Sequence, residues 1–431
     1  MSGSSVVAPP RPAPSPAQRM PSPFSLPLHA LRLLGRCGLA LVLWFSAGEV
    51  VRFGLLYGAT EVAYGDLRQV RLIATMTLLT LVVLAAMTVI TGMLHSLRGA
   101  LWEMRARAAE GAADEQFFKA LDRVAPAFAV LYMAWGFHTE DARELVRMDM
   151  FHHFLELTDA AFFGEDSQVG RSFIDIDWRV SLGTMAVAFG LKTLFAKLVE
   201  KGNGRFYGFA AAFAEFAFVF YGLNATVAIA SARSDWMEHR AVVAGTHDLL
   251  EQAKKNIPGF EAVSAAVGEV WPIVLSAVAV PLAWLTVAML VFGAYADDTR
   301  TMVRGTRFER GVERLEQSHD LTQRSVNRVT GGFQERWVPL VNSLRLIIRG
   351  GAPLFGMMCL CYTAVAVGAQ YADRAVRTII GSQVEWAWFY LGAPVSFVRD
   401  LVVAAITMAL LAATFDLAAT RARLRGQAFT S

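Results

Sequence analysis

Long apolar runs, separated by short polar stretches, recur along the chain. The clearest occupy residues 72–96, 206–231, 270–295, 350–370 and 395–418. Two more, 37–57 and 180–198, have similar length but carry charges. An eighth, 120–137, holds a shorter strictly apolar stretch, VAPAFAVLYMAWGF. A helix needs about 20 such residues to cross a hydrocarbon core of roughly 30 Å. The pattern predicts an all-α, polytopic transmembrane helical bundle with eight spans.

Before the first run lies a Pro- and Ser-rich stretch with too little apolar surface to offset the entropy of ordering. Residues 1–36 are therefore expected to form a disordered cytoplasmic tail. The spans then divide into two halves, 37–202 and 203–431, which share a layout of two spans, a cytoplasmic stretch, two spans and a short basic stretch. Local matches accompany the layout: Glu49 with Tyr57-Gly58 against Glu215 with Tyr221-Gly222, Arg123 and Pro126 against Arg349 and Pro353, Lys197 and Gly202 against Arg421 and Gly426. They predict two parallel four-helix repeats, a layout used by some transporters. The offset that aligns Gly202 with Gly426 also aligns Lys192 with Asp416.

Composition agrees with the membrane class. Only 18% of residues are charged, against about a quarter in soluble domains. Charge distribution then orients the chain. With eight spans and a cytoplasmic N-terminus, the inner segments hold 25 of the Lys and Arg residues and the outer segments 12. That is the sense of the positive-inside rule, so both termini are expected in the cytoplasm. Removing span 120–137 would place the acidic stretch 138–179 inside. Arginine outnumbers lysine 34 to 6, which fits a GC-rich bacterial genome and hence a bacterial inner membrane. Cys37, Cys359 and Cys361 lie in or beside spans, which argues against a disulfide-held ectodomain.

Ionisable side chains within spans are costly and mark sites of interest. Here they are Glu49, Arg52, Lys192, Glu215 and Asp416. Glu49 and Arg52 are three apart and can neutralise each other on one helix. Lys192 and Asp416 are near enough to the inner surface to reach it. Glu215 lies in AAFAEFAFVFYGLNA with no basic neighbour within a turn. It needs a partner from another helix or a proton.

Outside the spans, 138–179 repeats apolar residues at helical spacing from Leu145 to Phe162, which predicts a folded cap against the membrane. His152, His153 and Glu156 lie on that helix and are candidate metal ligands, although their spacing is not the His-Glu-x-x-His pattern. The insert 297–349 carries ten arginines and is the expected docking point for a protein partner or anionic lipid. No dinucleotide fingerprint, P-loop or nucleophile elbow is present, so no cofactor and no catalytic residue is assigned. Nucleic acid is not an expected partner; the lipid bilayer is, and an oligomer is compatible with the pattern. The first reading of function is a transporter or channel for a small solute or ion; the alternatives are a non-catalytic scaffold or assembly subunit of a larger membrane complex and, after it, a membrane-embedded lipid-processing enzyme.

Overall fold

The computed structural model describes residues 21–65, 67–111, 117–134, 137–164, 169, 178–200, 206–232, 260–293, 351–381 and 385–424. Among these, eleven α-helices and two short 3₁₀ turns account for the regular structure, and no strand occurs. The helices are α1 (Leu26–Val62), α2 (Arg68–Leu97), α3 (Trp102–Ala109), α4 (Phe117–Ala134), α5 (Phe137–His152) and α6 (Phe154–Phe163). They continue with α7 (Trp178–Glu200), α8 (Phe206–Ala232), α9 (Phe260–Val291), α10 (Ala352–Ile380) and α11 (Glu385–Leu424).

Each of the eight predicted spans is largely helical over its described residues. Among the described residues, four helical segments are long and apolar enough to cross a membrane: Pro23–Val62, Arg68–Ala100, Ala352–Ile380 and Leu391–Leu424. Shorter apolar stretches, Tyr207–Gly222 and Ala277–Val291, lie within α8 and α9. Helix begins at Leu26, so residues 26–36 are not part of a disordered tail. Leu26, Leu33 and His29 are buried there, and packing of that turn supplies what a free tail lacks. Residues 1–20 and the insert 297–349 lie outside the described residues.

α2 and α11 form the centre. The segment of α11 from Leu410 to Ala419 is buried on every face, and its alanines let neighbours approach closely. α1 runs along both of these helices, α9 packs on α2, α4, α10 and α11, and α8 packs on α2 and α4. α7 packs along α8, and α10 along α11. Four hydroxyls within α2 are satisfied locally, Thr75, Thr77, Thr80 and Thr88 each donating to the carbonyl four residues earlier, as an apolar setting favours. The outward faces of α1 and α10 are apolar, with Leu39 and Leu360 well exposed. Such stripes suit acyl chains rather than water.

The end of the bundle where α1 begins is called basal here, the other end distal. Pro21 and Leu424 line one cleft at the basal end, so both described chain ends lie on the same side. α1, α4, α8 and α10 run from basal to distal, and α2, α7, α9 and α11 return. Helix pairing differs between the two halves of the chain. α1 packs along α2, whereas α8 and α9 have no comparable contact; α10 packs along α11, whereas α4 and α7 do not. The packing therefore gives the four-plus-four repeat no support.

α1 and α2 meet through two glycines. A Cβ on Gly92 would stand 2.5 Å from the Trp44 indole, and one on Gly48 would stand 2.3 Å from Val89. Small residues at such a crossing let backbones approach and maximise packing in a membrane. Gly92→Val is expected to lower stability by about 1–3 kcal/mol through overpacking. Gly35→Ala, where nothing lies within 4 Å, should be neutral or slightly stabilising because it relieves helix-interior glycine. Thermal unfolding in detergent compares the two; equal effects would mean that the crossing does not depend on the missing side chain.

Candidate functional site

The most enclosed polar cluster lies at the basal end, where α1, α3 and α11 converge. Asp416 of α11 has no exposed surface. Its carboxylate accepts from the backbone N–H of Trp102 at 2.9 Å and of Glu103 at 2.8 Å, and His29 Nε2 lies 2.9 Å from Oδ2. The residue before α3, Leu101, offers no side-chain cap. Asp416 therefore caps α3 from a distant helix, satisfying two of the donors that every helix start leaves open. A carboxylate is also favoured there by the helix dipole. The His29 ring stacks on Trp102 with centroids 4.1 Å apart, and its buried Nδ1 has no partner among the described residues.

One residue further along α3, Glu103 is also buried. Arg423 holds both of its oxygens, at 2.8 and 3.0 Å, and Arg107 donates to it at 2.9 Å. Arg423 reaches Glu110 as well. Trp102, Glu103 and Arg423 line an adjoining cleft of about 550 Å³. Bidentate guanidinium–carboxylate pairs of this kind fix geometry as well as charge.

Within the bundle, Lys192 of α7 binds Glu215 of α8 at 2.9 Å. Glu215 thus takes a partner from another helix, one of the two outcomes expected for it. Lys192 serves that pair rather than turning to a membrane surface. Phe216 and Phe220, on the same helix, pack with Phe128 and Tyr132 of α4, and Phe128 also meets Trp284 of α9. This aromatic layer fills the space between α4, α8 and α9.

At the distal end, Arg52 lies 3.8 Å from Glu49, as their spacing implies, but its closer partner is Asp141 of α5 at 2.8 Å. Tyr132 donates to the same Asp141 carboxylate. Next along α5, Asp149 is buried and accepts from the Tyr64 hydroxyl at 2.8 and 2.9 Å, while His153 Nδ1 lies 3.2 Å from it. Burial, followed by the bond to Asp149, pushes the Tyr64 phenol above its ordinary range. His152 pairs with Glu61 of α1 at 2.7 Å.

The three candidate metal ligands are thus not brought together. His152 and His153 turn to different carboxylates, and Glu156 is exposed and pairs with neither. Among the described residues no group of three or more His, Cys, Asp or Glu side chains is placed to hold a metal. The expected cap is helical, as α5 and α6, but it breaks at His153. Leu145 is buried and Met148 packs against the core. Phe151, Phe154, Leu155 and Phe162 are exposed, so only the first turns of the apolar pattern pack inward.

Sequence reasoning found Glu49, Arg52, Lys192, Glu215 and Asp416 but missed His29, Glu103, Asp141 and Asp149. The missed residues lie in or beside polar stretches, where a charge carries no cost signal. Lys192 and Glu215 did leave one signal: their midpoint falls between α7 and α8, so an antiparallel hairpin sets them at one depth. Compared with known protein families, with curated proteins and with solved structures, the chain matches none.

Proposed function

We propose that the chain crosses a bacterial inner membrane eight times, with both ends in the cytoplasm, and serves there as a non-catalytic scaffold or assembly subunit of a larger membrane complex. One observation carries this reading: each ionisable group in the helical bundle singled out from the sequence has a charged or ionisable partner. Arg52 joins both Glu49 and Asp141, Lys192 joins Glu215, and Asp416 joins His29. Groups paired in this way hold helices together, and the aromatic layer beside Glu215 supports a packed interior. The insert 297–349 is the proposed contact for a partner.

Transport of a small solute or ion is the second reading. The Lys192–Glu215 pair favours it, because the Lys192 side chain keeps 29% of its surface exposed and so has access to a competing ion. Nothing in the His152–Glu61 and His153–Asp149 pairs favours the lipid enzyme, since each histidine meets a single carboxylate.

Reporter fusions at residues 20 and 431 should both report the cytoplasm; an external signal from either would overturn the eight-span arrangement. In mild detergent the native protein should migrate in a complex well above its own 47.1 kDa. Deletion of 297–349 should return it to its own size. Purified protein in proteoliposomes should pass no protons or alkali ions under an imposed gradient. Gradient-driven flux that Glu215→Gln abolishes would replace the scaffold with a transporter.

A further inference from the structure

α10 and α11 pack against each other but leave a gap between their distal halves. Between Val365–Val376 and Leu391–Ile406 they leave a groove of about 690 Å³. The sequence explains the gap. Gly368, Ala369 and Ala372 on α10 present almost no side chain, and Pro394 sits inside α11 opposite them. Val398 and Val402 complete an apolar wall. The volume falls in the range of roughly 300–1,000 Å³ typical of small-molecule sites.

The groove is not apolar throughout. Asp373 and Arg399 face each other across it, 3.8 Å apart. Arg399 also grips Asp400 at 2.8 and 3.2 Å, and Arg377 binds Asp373 at 2.9 Å while lying over the Trp388 ring. Two guanidinium groups, Arg377 and Arg399, thus meet two carboxylates, Asp373 and Asp400. A channel of aliphatic wall ends at these guanidinium groups, near the end of two helices where an indole also lies. Guanidinium is the side-chain group best suited to phosphate oxygens, and aromatic side chains favour headgroup depth.

We infer that the α10–α11 groove holds a diacyl phospholipid from the distal leaflet, with an acyl chain along Gly368, Ala372, Val398 and Val402 and its phosphate at Arg399 and Arg377. Apolar wall recognises the tail and the two guanidinium groups recognise the phosphate. The groove joins both chemistries in one concave site, unlike the exposed stripe of α1 from Leu39 to Leu43. The inference rests on membrane placement, which the reporter fusions test separately.

The probe is phosphatidylglycerol carrying a photoreactive group on one acyl chain, added to the full chain in phosphatidylcholine nanodiscs. Irradiation should label peptides covering 365–376 and 391–406 saturably, with competition by unlabelled phosphatidylglycerol. Ala372→Leu and Gly368→Phe, which fill the groove, should each reduce that labelling at least tenfold while the melting temperature is kept. Leu360→Phe, on the outward face, should leave it unchanged. Arg399→Gln should reduce labelling by the phospholipid but not by the matching photoreactive diacylglycerol, which lacks phosphate. Label spread evenly over α1 and the groove would overturn the site, as would a cross-link from the groove to a second protein chain. Equal loss of both lipids in Arg399→Gln would overturn the phosphate role.

Discussion

Asp416→Leu is expected to be the most damaging single substitution in the described bundle, costing roughly 3–5 kcal/mol, as breaking a buried hydrogen-bonded pair does. The reason is the number of groups it abandons. Two backbone donors at the start of α3 and the His29 ring all converge on this carboxylate. Each buried polar group left unpaired costs about 1–3 kcal/mol. Asp416→Asn should fall between, because its amide oxygen still accepts while its NH₂ meets donors. His29→Phe should cost least, on the order of 1 kcal/mol, since it keeps the stack on Trp102 and leaves the cap intact. Unfolding of the purified protein in detergent ranks the three. Proteolysis within 102–109 should accelerate in Asp416→Leu before global unfolding. A variant as stable as the wild type would show that α3 does not depend on its remote cap.

The second large effect concerns α7, whose main packing among the described residues is along α8. Glu215→Leu removes the carboxylate that Lys192 binds, and Lys192→Met removes the ammonium from Glu215. Each should cost up to about 3–5 kcal/mol, with partial exposure of Lys192 drawing the value to the lower end. The double variant Lys192→Met/Glu215→Leu should recover to within about 1 kcal/mol of the wild type or surpass it, because apolar pairs of similar volume often match buried ion pairs. The coupling from the double-mutant cycle is the quantity of interest. A stable double variant that still assembles into its native complex is the result expected of a scaffold. Stability restored but assembly lost would assign the pair a task beyond holding two helices together.

Both predictions depend on partners that the chain order separates. The Asp416 cap joins residues more than 300 positions apart, and no local pattern marks the Trp102 and Glu103 N–H groups as its donors. Asp416 itself was legible because a charge inside an apolar run violates the pattern around it. His29 was not, since it sits in a stretch whose prolines and serines resemble a free tail. His152, His153 and Glu156 were read as one group from helical spacing. Spacing fixes which side chains share a face of α5 and α6, but the break at His153 and the approach of Glu61 and Asp149 decide what each one meets.

The sequence by itself determined that the chain is helical, where the apolar helices lie and which charges sit within them, because helix formation and apolar burial are read from neighbouring residues. The alternation of eight helices, and the return of both described ends to one side, accord with the same pattern. Tertiary structure alone decided which helices touch and which charges pair. It gave the expected repeat no support among the described helices and made Asp416 a cap rather than a surface group. It also opened a groove between α10 and α11. Those outcomes depend on side-chain volume and hydrogen-bond geometry across helix contacts, where a glycine, an alanine or one carboxylate oxygen changes the fit, and hydropathy along the chain is blind to all three.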